Sequence, residues 1–341
     1  MSFTKFTKFP SIEQFRHVVH NINYLELPSV QQKIKFRGTV KLHGTNAGVG
    51  SYKNEFWIQS RSSIITQKKD NYGFAKFVGK TQPAFNQLFK AIRDTINDQN
   101  EQSKLVLFGE WCGSGVQKNV AISTLEKMFV IFAIHVSYPE KPVDPDIDLD
   151  NECKKRKYWL NPEIIKDIDV SEHRIFKSCD FQSWEITIDF NEPKLSQNKL
   201  CELTDQVEKC CPVGKFFGQE GLGEGIVWVG EHNGILYKFK VKGEKHSVSK
   251  VKTLAAVDVE KLNSISEFVT YSVTENRLKQ GLTEVFGIDT PNIKKLGKFI
   301  KWMCGDVEKE EIDTIKASGL TMKDVKGQIA AKTRKWFIQN F

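Results

Sequence analysis

The chain has 341 residues, 40% hydrophobic and 27% charged, and its formal net charge of +8 is spread along its length, which is compatible with a polyanionic partner without indicating one. The seven cysteines are odd in number and include no C-x-x-C pair, which argues against a disulfide scaffold or a structural zinc site and favours a reducing interior. The longest apolar run, Met128 to Ile134, is too short to cross a membrane.

Strand patterns dominate the first 250 residues. The β-branched residues and glycines from Lys33 to Val49 predict two strands around a tight turn, and Glu55 to Ser60 predicts another. A helix is expected to follow Pro83, because the next apolar residues share one helical face. Further along, the patterns predict two buried strands at Leu105 to Trp111 and Met128 to Val136, and a loop at Asp144 to Lys157. They then predict a helix at Leu200 to Val207 and two more strands at Ile226 to Val229 and Leu236 to Val241.

Helical spacing replaces the strand patterns after about residue 250. The predicted helices are Leu254 to Leu282, Lys294 to Met303, Glu308 to Ala317 and Met322 to Gln339. Thr321 and Asp324 form a capping box for the last of them. We therefore predict an α+β protein, with one domain over residues 1–250 and an all-helical domain over residues 251–341.

A lysine stands at the start of a polar turn between two predicted strands, in the stretch Lys41-Leu42-His43-Gly44-Thr45-Asn46. Lysine becomes a nucleophile where burial or neighbouring cations lower its pKa, so a covalent site on Lys41 requires further lysines. Lys238, Lys240 and Lys242 alternate along one predicted strand and therefore share a face. Such a face fits a polyanion such as a triphosphate, and an exposed amphipathic strand is the alternative.

Two carboxylates stand at the edges of apolar strands. Glu110 follows Phe108-Gly109, and Glu224 precedes Gly225-Ile226-Val227. A carboxylate in such a place needs a partner, which can be a ribose hydroxyl, a lysine or a metal ion. For either one taken singly, a solvent-facing strand end is the alternative.

The order and spacing of these motifs resemble the covalent nucleotidyltransferase superfamily of ligases and capping enzymes. Lys-x-His-Gly-x-Asn is followed by Ser60-Arg61, Phe-Gly-Glu, an aromatic strand, Glu-Gly and Lys-x-Lys. A motif with His at its third position and Asn at its sixth, as His43 and Asn46 are here, resembles that of the RNA ligase 2 family of phage T4 and the trypanosome editing ligases. DNA ligases and capping enzymes usually have Asp in place of His43. The resemblance covers about residues 8 to 250, and a weaker one continues in Thr274-Glu275-Asn276-Arg277.

The resemblance implies an α+β adenylyltransferase domain of packed antiparallel sheets with flanking helices, and a role for each matched residue. Lys41 would attack the α-phosphorus of ATP and form lysyl-AMP. Lys240 and Lys242 would neutralise the α-phosphate, with Lys238 as the out-of-register alternative. Glu224 would help to hold Mg²⁺ or Mn²⁺, directly or through water.

The remaining matched residues would bind the nucleotide or the RNA. Glu110 would accept a hydrogen bond from a ribose hydroxyl, and Phe132 would stack on adenine, with Ile226 or Val227 on the other face. Arg61 would contact the ribose or the 5′-phosphate end, and Asn46 the α-phosphate or the RNA terminus. His43 would serve a later step. Leu42 and Arg277 are weaker candidates.

The predicted function is ATP-dependent joining of 3′-hydroxyl and 5′-phosphate RNA ends, at nicks in duplex or bridged RNA, by a monomer whose helical domain clamps the RNA. The alternatives are a DNA ligase or a capping guanylyltransferase of the same superfamily, and a catalytically silent RNA-end binding protein. The family's phage member has Arg-Glu before its nucleophile where this chain has Thr39-Val40, and Arg37 is a candidate substitute. The expected location is intracellular, in the cytoplasm or nucleus or in a host cytoplasm, with organellar targeting left open.

Overall fold

The computed structural model describes residues 4–24, 33–53, 55–138, 157–246, 265–287 and 289–341. Three predictions fall wholly or partly outside these residues. They are the loop from Asp144 to Lys157 apart from its last residue, the domain boundary at residues 250–251, and the start of the helical pattern from Leu254 to Leu282.

Strands and helices alternate irregularly along the described residues. The strands are β1 (Glu13–Gln14), β2 (Lys33–Lys41), β3 (Thr45–Tyr52), β4 (Glu55–Ser60), β5 (Ile64–Ile65), β6 (Lys104–Cys112), β7 (Met128–Ser137), β8 (Lys157–Leu160), β9 (Ile175–Lys177), β10 (Ser183–Asp189), β11 (Gly225–His232) and β12 (Ile235–Lys242). The helices are α1 (Phe15–Tyr24), α2 (Phe74–Thr95), α3 (Lys194–Lys209), α4 (Pro212–Phe216), α5 (Ile265–Ser272), α6 (Glu275–Phe286), α7 (Leu296–Ala317) and α8 (Met322–Asn340).

The chain divides into two compact units that each draw on several separate segments. The first comprises Met1–Ser11, Thr39–Trp184 and Lys209–Gly223. The second comprises Ile12–Gly38, Glu185–Glu208 and Glu224–Phe341. The second unit thus contains both the β11–β12 pair and the C-terminal helices. A domain boundary at residue 250 stays a prediction.

The sheet of the first unit has the strand order β5–β4–β3–β6–β7–β8, with β9 also beside β7. Its paired strands are antiparallel except for β7 and β9. Strand β6 is buried on both faces, since one apolar cluster joins the sheet to α2 and an aromatic cluster covers the other face. The predicted strands of this region are confirmed.

Helix α2 begins well before the predicted start at Pro83. It starts at Phe74, and Thr81 inside it has the non-helical angles φ −112° and ψ 16°. Proline lacks an N–H group and its ring crowds the preceding turn, so a kink just before Pro83 is expected. The prediction of a helix after Pro83 therefore covered only the part that follows the kink, and the helical turns before it were missed.

The sheet of the second unit has the strand order β1–β12–β11–β2–β10. Strands β11 and β12 form a hairpin whose two-residue turn is Asn233–Gly234, both with positive φ, as a tight hairpin turn requires. On the buried face of the hairpin, Phe239 packs against Phe15 and Phe36 with ring centroids 5.0 and 5.1 Å apart. Both predicted strands of the hairpin are confirmed.

Helices α5 to α8 enclose a separate apolar cluster that includes Phe268, Phe299 and Phe337. The two helices predicted at Lys294 to Met303 and Glu308 to Ala317 are one helix, α7, with non-helical angles at Glu311. Helix α8 begins at the predicted capping box of Thr321 and Asp324. The α+β class with mainly antiparallel sheets and C-terminal helices is confirmed. None of the helices in the described part of the chain is long and apolar enough to cross a membrane.

Candidate active site

Lys41 is the last residue of β2, and Leu42 to Gly44 connect it to β3. Lys41 and His43 are half-buried. Leu42, a weaker candidate for the site, is 9% exposed and belongs to an apolar cluster that includes Cys112 and Ile122. Its side chain therefore anchors the backbone next to Lys41 instead of facing a ligand.

The turn after Lys41 is fastened to strand β6 through Gly44. The backbone N–H of Gly44 donates a hydrogen bond to Oε1 of Glu110 at 3.0 Å. A Cβ atom at Gly44 would lie 2.3 Å from the carbonyl oxygen of Trp111, a distance that side chains do not tolerate. The glycine of the Lys-x-His-Gly motif is thus required by a close approach of two backbones, and Glu110 lies beside the turn that carries Lys41.

The register of three strands brings Asn46 and Arg61 to the same end of the sheet as Glu110. Asn46 on β3 pairs directly with Glu110 on β6, and Ala47 pairs with Ser60 at the end of β4. The Oδ1 atom of Asn46 is buried and has no hydrogen-bond partner among the described residues. Leaving such an atom unsatisfied costs about 1–3 kcal/mol, which a ligand donor would recover. Arg61 is exposed.

Phe132 occupies a β-bulge in strand β7. Phe108 pairs with Ala133 and Gly109 pairs with Ile131, so Phe132 is the extra residue between them. A bulge redirects the side chain that it carries. The half-buried ring of Phe132 lies edge-on to Phe9 with centroids 5.1 Å apart. Phe9 was missed as a neighbour of Phe132, and the only available signal was that the family resemblance begins near it.

The three lysines of β12 share a face, as predicted. They alternate with residues that are buried in the core, namely Tyr237, Phe239 and Val241. In the partner strand β11, Val227 is opposite Lys240, while Ile226 is opposite the buried Val241. Ile226 is fully buried on the core face. Of the two residues considered for the adenine site, Val227 rather than Ile226 is on the lysine face.

Lys242 and Glu224 form a buried ion pair. Their Nζ and Oε1 atoms are 3.0 Å apart, and the side chains are 14% and 3% exposed. Burial lowers the pKa of Lys242, but the charge and hydrogen bond of Glu224, together with the charges of Glu310 and Asp306, outweigh it, so the pKa is raised above the ordinary lysine value. Lys242 is therefore held as a cation.

Lys240 and Lys238 have a different electrostatic environment from Lys242. Burial lowers the pKa of Lys240, and the neighbouring Lys242 lowers it further, while Glu310 of α7 offsets only part of these effects from 3.0 Å. Burial lowers the pKa of Lys238 to about 8. Fixed cations in a dry environment are the groups that stabilise developing phosphate charge.

Arg277, a weaker candidate for the RNA clamp, is fully buried within the helical part of the second unit. Its guanidinium contacts Asp306 and Glu311 at 2.9 Å each and donates to the carbonyl oxygen of Ser272. Arg277 therefore joins the C-terminal helices to one another and presents no surface to RNA. The prediction for this residue was wrong because a buried arginine cannot be distinguished from an exposed one in the sequence.

Glu224 is the carboxylate considered for a divalent cation. Among the residues that the structure describes, no group of three or more His, Cys, Asp or Glu side chains could hold a metal ion. Mg²⁺ commonly uses one or two carboxylates together with substrate phosphates and water. Glu224 fits the part of a single carboxylate for such a phosphate-borne ion, in the immediate neighbourhood of Lys242.

The profile of the RNA ligase family matches residues 34–252, more than half of the chain. A comparison with curated proteins found no match to this chain. Among solved structures, a lysine-to-alanine variant of Naegleria gruberi RNA ligase with ATP and Mn has a TM-score of 0.43 and 15% identity, over 70% of this chain and 57% of that one. A glutamate-to-alanine variant with AMP and Mn has a TM-score of 0.44 and 15% identity, over 71% and 57%. The same ligase with PPi has a TM-score of 0.42 and 16% identity, over 71% and 57%.

The chain thus spans less than two thirds of the length of these solved chains. The matched range of the family profile includes every residue of the motifs from Lys41 to Lys242. The chain belongs to the RNA ligase family.

Proposed function

We propose that this protein is an ATP-dependent RNA ligase that works through an AMP adduct on Lys41. One observation carries the proposal: the motif residues are all present, and the carboxylates among them contact motif partners. Glu110 holds the turn that follows Lys41, and Glu224 holds Lys242. A protein that only binds RNA ends has no need of the full set of motif lysines and the full set of motif glutamates.

The proposed chemistry has three steps. The Nζ atom of Lys41 loses its proton and attacks the α-phosphorus of ATP, forming a P–N bond as the bond to pyrophosphate breaks. The AMP then passes to a 5′-phosphate on RNA, which frees Lys41 and creates a pyrophosphate linkage. A 3′-hydroxyl attacks the RNA phosphorus of that linkage, the new phosphodiester forms and AMP leaves.

Each remaining site residue has a proposed part in these steps. Lys240 and Lys242 neutralise the α-phosphate, and Asn46 orients the α-phosphate through its Nδ2 donor or a hydroxyl of the RNA terminus through its buried Oδ1 acceptor. Glu110 accepts a hydrogen bond from the ribose, and His43 acts after adenylylation. The adenine lies against Phe132, with Val227 contributing from the lysine face of the hairpin, and Arg61 contacts the ribose or the 5′-phosphate end.

A divalent cation, Mg²⁺ or Mn²⁺, supplies charge neutralisation on the triphosphate when it is bound, and Glu224 is the carboxylate proposed to hold it directly or through water. The helical segment over residues 251–341 is proposed as the clamp on duplex RNA. Its exposed residues Lys298, Lys301 and Lys326 replace Arg277 in that part. We further propose that the protein acts as a monomer.

The competing functions differ in their nucleotide and their polynucleotide. We propose to incubate the protein with α-labelled ATP or α-labelled GTP, and then with nicked RNA or nicked DNA duplexes. The expected result is covalent labelling by ATP and sealing of RNA. Labelling by GTP would favour capping, sealing confined to DNA would favour a DNA ligase, and absence of labelling would favour a silent binding protein.

The matched variants are Lys41→Ala and Lys80→Ala. Lys80 is an exposed lysine on helix α2 and belongs to none of the motifs. We expect Lys41→Ala to lose all labelling and Lys80→Ala to label as the wild type does. Equal labelling of both variants would contradict the proposal.

A further inference from the structure

A carboxylate from the C-terminal helices contacts Lys240, one of the two lysines (Lys240 and Lys242) proposed to neutralise the α-phosphate and called the phosphate lysines below. Within the second unit, Oε1 of Glu310 on α7 lies 3.0 Å from Nζ of Lys240. The side chain of Glu310 is 8% exposed, and its Oε2 atom accepts a hydrogen bond from Nε2 of Gln14 at 2.5 Å. Gln14 is opposite Lys240 in the pairing of β1 with β12. Glu310 is thus held on both oxygens, one of them by the lysine.

The position of Glu310 is fixed by the residues on either side of it. The carbonyl oxygen of Glu310 accepts a hydrogen bond from Arg16 of α1. The next residue, Glu311, is fully buried between Arg16 at 3.0 Å and Arg277 at 2.9 Å, where α7 departs from helical angles. Buried pairs of this kind impose one arrangement because a misplaced charge would stay uncompensated.

We propose that Glu310 is a positioning residue for adenylylation, which keeps Lys240 oriented and charged on the lysine face of β12. The inference rests on the proposed function and assigns a residue of the C-terminal helices to the nucleotide site. Protein kinases use the same device, since a lysine on a strand contacts the nucleotide phosphates only while a glutamate on a helix pairs with it. Each of the two lysines then has a carboxylate 3.0 Å away, Glu310 for Lys240 and Glu224 for Lys242, and Glu310 also helps to raise the pKa of Lys242.

The electrostatics of Lys240 show why it needs a partner. Among the described residues of this unit, the charged groups on its side are Lys238 and Lys242 on its own strand and Glu310 and Lys309 on α7, while its neighbours on the adjacent strands, Gln14 and Val227, carry no charge. Burial, Lys242 and Lys309 lower the pKa of Lys240, and Glu310 opposes them. Without Glu310, Lys240 would lose its proton at a lower pH and would no longer neutralise phosphate.

The test compares the wild type with Glu310→Gln, Glu310→Asp and Glu308→Gln. Glu308 is exposed on the same helix and serves as the control. The rate of covalent labelling by ATP and the affinity for α,β-methylene-ATP are measured from about pH 6.5 to about pH 9.5, and circular dichroism checks folding. We expect Glu310→Gln to lose activity at lower pH than the wild type and to label at least about tenfold more slowly at the basic end.

Affinity for the analogue should fall in the same direction, and Glu310→Asp should lie between Glu310→Gln and the wild type. Glu308→Gln should match the wild type. If Glu310→Gln does not fold, the pH profile of Glu310→Asp decides, because it keeps the charge and moves it away from Lys240.

Several outcomes would overturn the inference, and they are distinguishable from failure of the proposed function. If ATP does not label the wild type covalently, both the proposed function and this inference are wrong. A wild type that labels, beside a Glu310→Gln variant with the same rate and pH profile, would end the inference alone. Faster labelling by Glu310→Gln would also end it, since the carboxylate would then compete with phosphate for Lys240.

Discussion

The two groups of site residues are held in different ways. In the first unit, Glu110 positions the turn after Lys41 through a backbone hydrogen bond, and Lys41 is only half-buried. In the second unit, the side chains of Lys242 and Lys240 are 14% and 18% exposed and are paired with Glu224 and Glu310. The proposed nucleophile thus depends on close backbone packing, whereas the lysines proposed to neutralise phosphate depend on charge balance. Mutations should therefore affect the two groups through different observables.

The largest effect is expected from Glu224→Gln, which removes the carboxylate charge that lies 3.0 Å from the ammonium group of Lys242. Breaking such a pair costs about 3–5 kcal/mol, so the free energy of unfolding should fall by about that amount. Because the pKa of Lys242 is raised above 10.5 in the folded state, the stabilisation is present below that pH and disappears as the pH rises through the folded value. Urea unfolding at several pH values measures both effects.

Glu231→Gln is the control for that experiment. Glu231 is exposed on β11, the strand that directly follows Glu224, so its substitution should change the stability by less than about 0.5 kcal/mol. Equal stability losses in the two variants would contradict the proposed role of charge pairing in the second unit.

The next largest effect is expected from Gly44→Ala. The added methyl group meets the carbonyl oxygen of Trp111, so the turn must move and Lys41 moves with it. A displacement of about 1 Å at a reacting group costs on the order of 100-fold in rate, which rapid-quench measurement of adenylylation would detect. Gly327→Ala, on an open stretch of α8, is the control and should label normally. A Gly44→Ala variant that also labels normally would refute the backbone account of the first unit.

The smallest effect is expected from Lys238→Met. Burial lowers the pKa of Lys238 to about 8, so the charged form of Lys238 destabilises the folded protein. The free energy of unfolding of the wild type should therefore rise as the pH increases from about 8 towards the ordinary lysine value of 10.5. Removing the amine should stabilise the protein by about 1–2 kcal/mol at neutral pH and abolish that rise. Thermal unfolding across this pH range checks it. An undiminished rise in the variant would mean that another group titrates there.

Features with a local sequence signal were predictable. The alternation of the β12 lysines with apolar residues and the capping box at Thr321 both follow from period and spacing. Such signals extend over only a few neighbouring residues, so the sequence pattern is enough to predict that β12 is a strand and that α8 begins after Thr321. Assignment of Lys41 and the two carboxylates required the ordered motifs as well, and their functional roles stay predictions.

Features set by long-range contacts were not predictable. The bulge at Phe132 depends on the register with β6, and Glu310 is 70 residues from Lys240 in the chain. Arg277 looks like an RNA-binding residue in the sequence, but α7 supplies two carboxylates that bury it. Ile226 and Val227 differ only in which face of β11 they occupy, and the pairing with β12 decides this.

The most direct test of the central claim is to locate the nucleotide on the chain. The protein would be incubated with ATP and Mg²⁺, digested, and the peptides that carry an added AMP identified by mass spectrometry. The account predicts one adduct, on the Nζ atom of Lys41. An adduct on Lys238 or Lys240 instead, or a chain that stays unmodified under conditions where it is folded, would contradict it.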